Sequence, residues 1–71
     1  MIKQRAGIGD SLRSFILGRI REGKWAPGSR IPGLRELGGE FNVSQATVQR
    51  IFDELARERV LVAVHGSGTY V

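Results

Sequence analysis

The sequence contains no cysteine, one histidine and two prolines in 71 residues. Without cysteine there is no disulfide, no thiolate metal site and no thiol nucleophile. A cysteine-free chain suits a reducing compartment, and a cytoplasmic location is expected. One histidine makes no metal site, so neither a metal nor a cofactor is expected. No apolar run approaches the roughly 18 residues of a membrane span. The N-terminus, Met1-Ile2-Lys3-Gln4-Arg5, lacks the apolar stretch of a secretion signal. Ser44, Ser67 and His65 are the pieces from which a nucleophilic site would be built, but their spacing supports no such arrangement. Catalysis is therefore not expected. The length allows a single domain over residues 1–71, with room for a small core and none for a separate substrate domain.

What is present is a basic excess, with a net charge of +4. It is unevenly placed. Residues 1–35 carry eight basic and two acidic side chains, and residues 36–71 carry three basic and five acidic ones. The excess points to a polyanionic partner, but charge alone would locate that partner on the N-terminal half.

Residues 1–8 read as a disordered tail. A first helix is expected from near Asp10, which can accept from free backbone N–H groups, to Glu22-Gly23. Leu12, Phe15, Ile16 and Ile20 form its apolar stripe. A connector holding the Pro27-Gly28 turn and Pro32 follows, with Trp25 read as packing. A second helix is expected over Leu34–Phe41, and a third, capped by Ser44, runs to about Arg59. Val60–His65 and Thr69–Val71 read as two strands joined by Gly66-Ser67-Gly68. The fold class is mainly α with a small β-hairpin: a winged helix-turn-helix, three helices plus a wing.

The stretch Leu34–Ile51 carries the functional signal. Two helices crossing steeply at a tight turn need a small residue in the first helix, and Gly38 supplies it. The turn needs a residue that accepts positive φ, and Asn42 is among the few non-glycine types that do so cheaply. Leu37, Phe41, Val43, Val48 and Ile51 stand at offsets that point into the angle. Gly39 has no comparable account, and each glycine costs the helix about 1 kcal/mol relative to alanine.

On the third helix Val48, Ile51, Phe52 and Leu55 share one sector, while Ala46, Gln49, Arg50, Asp53 and Arg57 lie opposite. Gln45 and Thr47 flank the N-terminal end. Glutamine matches adenine N6 and N7 in the major groove, and arginine matches guanine O6 and N7. Ala46 and the Thr47 methyl suit thymine methyls, and Ser44 with the helix N-terminus suits a phosphate. Taken singly, Gln45 and Gln49 read equally as a solvated face. Asp53 reads as a surface charge able to pair with Arg50 or Arg57. The glycine-rich hairpin tip allows close approach to a phosphate or a minor groove, or is an ordinary turn. A module that binds protein and has lost its DNA contacts is the main alternative, favoured by the acidic balance of residues 36–71. An RNA-binding or enzymatic domain is remote.

The segments Trp25–Pro32, Leu34–Leu37, Phe41–Ser44, Thr47-Val48 and Gly66–Val71 together resemble the GntR family of bacterial regulators. The resemblance covers about residues 8–71. It implies a repressor or activator, the former released by a small-molecule effector, that binds a palindromic operator in double-stranded DNA as a homodimer. The effector would bind outside this chain, so the chain reads as an excised head. The resemblance assigns a phosphate or base contact to Arg35. It assigns the major groove to Ser44, Gln45, Ala46, Thr47 and Gln49, and the minor groove to His65 and Gly66.

Departures from the family's pattern are also visible. Arginine is usual where Gln45 and Gln49 stand, and threonine is frequent at Ala46. Contacts to adenine in place of guanine are therefore expected. Leu34 replaces a polar or acidic residue. Arg59 replaces a glycine, so the third helix is expected to end differently. Val62-Ala63-Val64 is less basic than usual. The string Gln45–Arg50 is similar to the subgroup with sugar-binding effector domains.

Overall fold

The computed structural model describes residues 7–71. Its elements are α1 (Gly7–Arg21), α2 (Leu34–Phe41), α3 (Gln45–Arg57), β1 (Val62–Val64) and β2 (Gly68–Tyr70). The tail expected over residues 1–8 lies outside the described residues as far as position 6. Positions 7 and 8 belong to α1, which begins three residues before Asp10.

The apolar stripes read from the sequence meet in one core. Leu12 and Ile16 of α1, Leu37 of α2 and Val48, Ile51, Phe52 and Leu55 of α3 are buried, together with Ile31 and Leu61. Phe15 and Ile20 pack against this core half-buried. Phe15 sits between Trp25 and Phe41, with ring centroids 5.8 and 5.1 Å away in edge-on geometry. Trp25 is thus a packing residue that clips the connector onto α1.

The α2–α3 corner forms as the residues dictate. Asn42 adopts φ 57° and ψ 47°. The next N–H, of Val43, donates to the Gly38 carbonyl at 2.9 Å. A Cβ on Gly38 would lie 3.0 Å from the Val43 carbonyl oxygen, so a side chain there would press on the turn itself. Ser44 caps α3, its Oγ accepting from the Thr47 N–H at 3.1 Å. At the start of α2, Glu36 Oε1 reaches back to accept from the Gly33 N–H at 3.2 Å. This is one arm of a capping box, since glycine has no side chain for the other.

α3 ends at Arg57, two residues before the expected limit. The reason is Arg59, whose φ is 65°. That left-handed turn closes the helix and sends Leu61 back into the core. The first strand is correspondingly shorter than expected, while the second keeps three residues and lies one position earlier, at Gly68–Tyr70. β1 starts at Val62 because Val60 and Leu61 still donate their N–H groups to the Leu55 carbonyl, at 2.8 and 3.3 Å.

The hairpin pairs antiparallel in the register Val62↔Tyr70, Ala63↔Thr69, Val64↔Gly68. The far edge of β2 is covered as well. Arg30 bridges Tyr70, the Ile31 N–H donates to the Thr69 carbonyl and the Val71 N–H to the Ser29 carbonyl, both at 2.9 Å. The connector before α2 thereby becomes a third strip of the wing and ties the wing to the base of α2.

Candidate nucleic-acid interface

The capped end of α3 is open to solvent. Ser44, Gln45 and Ala46 are exposed, while Thr47 is half-buried. The hydroxyls of Ser44 and Thr47 lie 3.0 Å apart, so one donates to the other while Ser44 also holds the Thr47 N–H. This lattice fixes the first turn of the helix and leaves Gln45 and Ala46 free to face outward.

One turn on, Gln49 and Arg50 are exposed, but each is held by a carboxylate on its own helix. Gln49 Nε2 donates to Asp53 Oδ1 at 2.9 Å, and an Arg50 guanidinium nitrogen donates to Glu54 Oε2 at 3.0 Å. The pairing expected of Asp53 with Arg50 or Arg57 is therefore corrected. Arg50 takes Glu54, four positions on, and Asp53 takes the amide. Glu54 lies 3.7 Å from Arg13 of α1, and Arg13 in turn donates to Glu58 at 2.7 Å. The hydrogen bond to Glu58 leads the causes that raise the Arg13 pKa. Such exposed pairs contribute little stability individually. Their effect is on orientation, because they draw Arg50 toward the α1 side of α3.

A groove of about 310 Å3 lies between α3, the start of α2 and the wing. It is lined by Gln49 and Phe52 of α3, by Gly33 and Leu34, and by His65, Gly66 and the rest of the hairpin tip. Gln49, His65 and Gly66 therefore share one concave surface, whereas Arg50 lies outside it. His65 and Gly66 are exposed in the turn, Gly66 at φ 79°. Tyr70 and Ser67 hydroxyls, 2.6 Å apart, brace the tip from behind. Arg35 is exposed in the first turn of α2, with no ion pair among the described residues.

One residue of the groove was missed by sequence reasoning. Arg30 lies across the wing, its Nε 2.6 Å from where a Cβ on Gly68 would stand. Gly68, at φ 141°, leaves the space that this guanidinium occupies beside the backbone. The bracketing Pro27-Gly28 and Pro32 mark a connector in the sequence, but a single bridge between residues 30 and 70 leaves no local periodicity to read. Among the described residues, no group of three His, Cys, Asp or Glu side chains is placed to hold a metal ion, and no helix is long and apolar enough to cross a membrane.

Comparison with known proteins agrees with this geometry. The family model for bacterial regulatory proteins, gntR family, matches residues 4–71. The histidine utilization repressor of Klebsiella aerogenes is 37% identical over 62 residues, covering 87% of this chain and 26% of that protein. The mannosyl-D-glycerate transport/metabolism system repressor MngR of Escherichia coli is 40% identical over 60 residues, covering 79% of this chain and 25% of that protein. The chain thus spans about a quarter of the length of these relatives. Among solved structures, AraR(DBD) in complex with operator ORR3 superposes with a TM-score of 0.87 at 31% identity, over 90% of this chain and 77% of that one. A GntR family transcriptional regulator from Listeria monocytogenes superposes with a TM-score of 0.89 at 26% identity, over 99% of this chain and 61% of that one.

Proposed function

This chain belongs to the gntR family of bacterial regulatory proteins, and on that premise we propose that it is the head with which a transcription regulator reads operator duplex DNA. The observation that carries the reading is the groove in which Gln49 of α3 meets the wing tip, on a fold shared with a protein solved on its operator. In this reading α3 enters the major groove. Gln45 and Gln49 read base edges, Ala46 and the Thr47 methyl touch thymine methyls, and Arg50 makes a further base contact by leaving Glu54. Ser44, with the N-terminus of α3, and Arg35 hold phosphates on either side. His65 and Gly66 reach the adjacent minor groove. Arg30, anchored on Gly68, adds a cation at the wing's root.

The assembly is a homodimer on a palindromic operator, its effector bound by sequence beyond this chain and lowering affinity for the operator. The two relatives described above, from Klebsiella aerogenes and Escherichia coli, are both named as repressors, which supports that sign of regulation. Cytoplasmic residence follows from the same reading.

The test is selection of duplexes from a random library at low salt, followed by binding of the enriched site by Gln49→Ala. A short enriched site is expected. The variant is expected to lose about 1–3 kcal/mol on it and to relax preference at one base pair. Equal losses on every sequence would reduce Gln49 to a positioning role. No enrichment together with no salt-sensitive binding would favour a protein partner, for which the exposed Asp53 and Glu58 of the α3 segment would then be the contact candidates.

A further inference from the structure

Asp53 follows Gln49 by one turn on the exposed side of α3, and its Oδ1 accepts from Gln49 Nε2 at 2.9 Å. An ionised carboxylate can only accept. The amide of Gln49 must therefore turn its nitrogen toward Asp53 and its oxygen, Oε1, away. One Nε2 hydrogen is committed to Asp53. One donor hydrogen and the Oε1 acceptor remain, and the residue is exposed. Adenine offers an amino donor at N6 and an acceptor at N7, which this remaining pair matches. Guanine offers two acceptors, O6 and N7, which need two donors. A free amide could turn over and give both its hydrogens to guanine, but one held by Asp53 cannot. Arg50, the side chain best suited to guanine, is itself held by Glu54 at 3.0 Å.

Resting on the reading of α3 as the groove-facing helix, we propose that Asp53 is a specificity-determining positioning residue, which locks the Gln49 amide in the orientation that accepts adenine and rejects guanine. It touches no base. It acts through Gln49 alone.

The experiment uses this chain and the site enriched by selection. Gln49→Ala first identifies the base pair that Gln49 reads. Adenine and guanine versions of that pair are then measured with the wild type, Asp53→Asn and Asp53→Glu, with helical circular dichroism confirming that each variant is folded. Asparagine keeps the shape but can donate as well as accept, which frees the amide to turn over. Glutamate restores an acceptor-only partner within reach at the i,i+4 spacing. The wild type is expected to favour adenine by about tenfold or more, Asp53→Asn by no more than about threefold, and Asp53→Glu by most of the wild-type ratio. A uniform gain in affinity for both duplexes by Asp53→Asn, with the ratio unchanged, would show that Asp53 only repels phosphates and would overturn the proposal. So would loss of the ratio in Asp53→Glu as well, or a wild type that favours guanine. A wild type with no sequence preference at all would overturn the DNA reading and the proposal together. A normally enriched site with an unchanged Asp53→Asn ratio would overturn the proposal alone.

Discussion

Arg59 holds a backbone position that α1 gives to glycine. At the end of α1, Gly23 has φ 79°, the Lys24 N–H donates to the Arg19 carbonyl at 2.9 Å and the Gly23 N–H to the Ile20 carbonyl at 3.1 Å. At the end of α3, Arg59 has φ 65°, the Val60 N–H donates to the Leu55 carbonyl at 2.8 Å and the Arg59 N–H to the Ala56 carbonyl at 3.0 Å. Both are Schellman ends, hydrogen-bonded alike. In the left-handed region a side chain brings Cβ against the following carbonyl oxygen, at a cost of roughly 1–2 kcal/mol, which glycine does not incur. Arg59→Gly should therefore raise stability by about 0.5–1 kcal/mol, after the greater chain entropy of glycine is subtracted. Thermal melts read this as a rise of several degrees. An unchanged or lower midpoint would mean that the Arg59 side chain contributes enough elsewhere to offset the strain. The sequence showed Arg59 as a departure and suggested a different helix end. The hydrogen bonds instead keep the usual end and place the strain on one residue. Asn42 was legible for the complementary reason, since few side chains tolerate its conformation. The partners of Asp53 and Arg50 were not legible, because several suitable neighbours stand within one helical turn and spacing alone does not rank them.

The corner between α2 and α3 is where two adjacent glycines separate a packing requirement from a propensity penalty. Gly38 is buried against the Val43 carbonyl, whereas a Cβ on Gly39 would meet nothing within 4 Å. Alanine at either position gains the same intrinsic helix propensity. Gly39→Ala should stabilise by about 0.5–1 kcal/mol. Gly38→Ala should destabilise by about 1–3 kcal/mol, because the Val43 carbonyl belongs to the turn and must move with it. Denaturant midpoints of the two variants test this, and a stabilising Gly38→Ala would remove close approach as the reason for that glycine. The helices were legible because their apolar stripes repeat at helical spacing and their caps are local. The wing was legible only in outline. Its strand limits depend on how far α3's closing turn extends and on residues 29–31 arriving from a distant part of the chain, and neither leaves a period-two pattern.

Over the whole molecule, charge and base-reading surface are carried by different halves of the chain. The basic excess lies in residues 1–35, yet α3, the expected reading helix, comes from the other half. The fold reconciles the two. The connector brings Arg30 to the groove that Gln49 of α3 lines, Arg35 stands exposed in the first turn of α2, and Arg50 of α3 is paired with Glu54. On the proposed reading, the cations that grip phosphates come from the N-terminal half, Ser44 and the α3 N-terminus add an uncharged phosphate contact, and the bases are read by α3, chiefly through its glutamines. The two contributions respond differently to salt, because only neutralised phosphates release counterions, each adding about 0.9 to the slope of log affinity against log salt concentration on B-form DNA. Arg35→Ala and Arg30→Ala should each weaken binding to every duplex alike and lower that slope by about one. Gln49→Ala should weaken only the enriched site and leave the slope unchanged. Titrations of each variant between low and moderate salt, on the enriched site and on an unrelated duplex, separate the cases. A Gln49→Ala slope that falls with the others would make Gln49 itself a phosphate contact, and unchanged slopes for both arginine variants would remove Arg30 and Arg35 from the phosphate contacts.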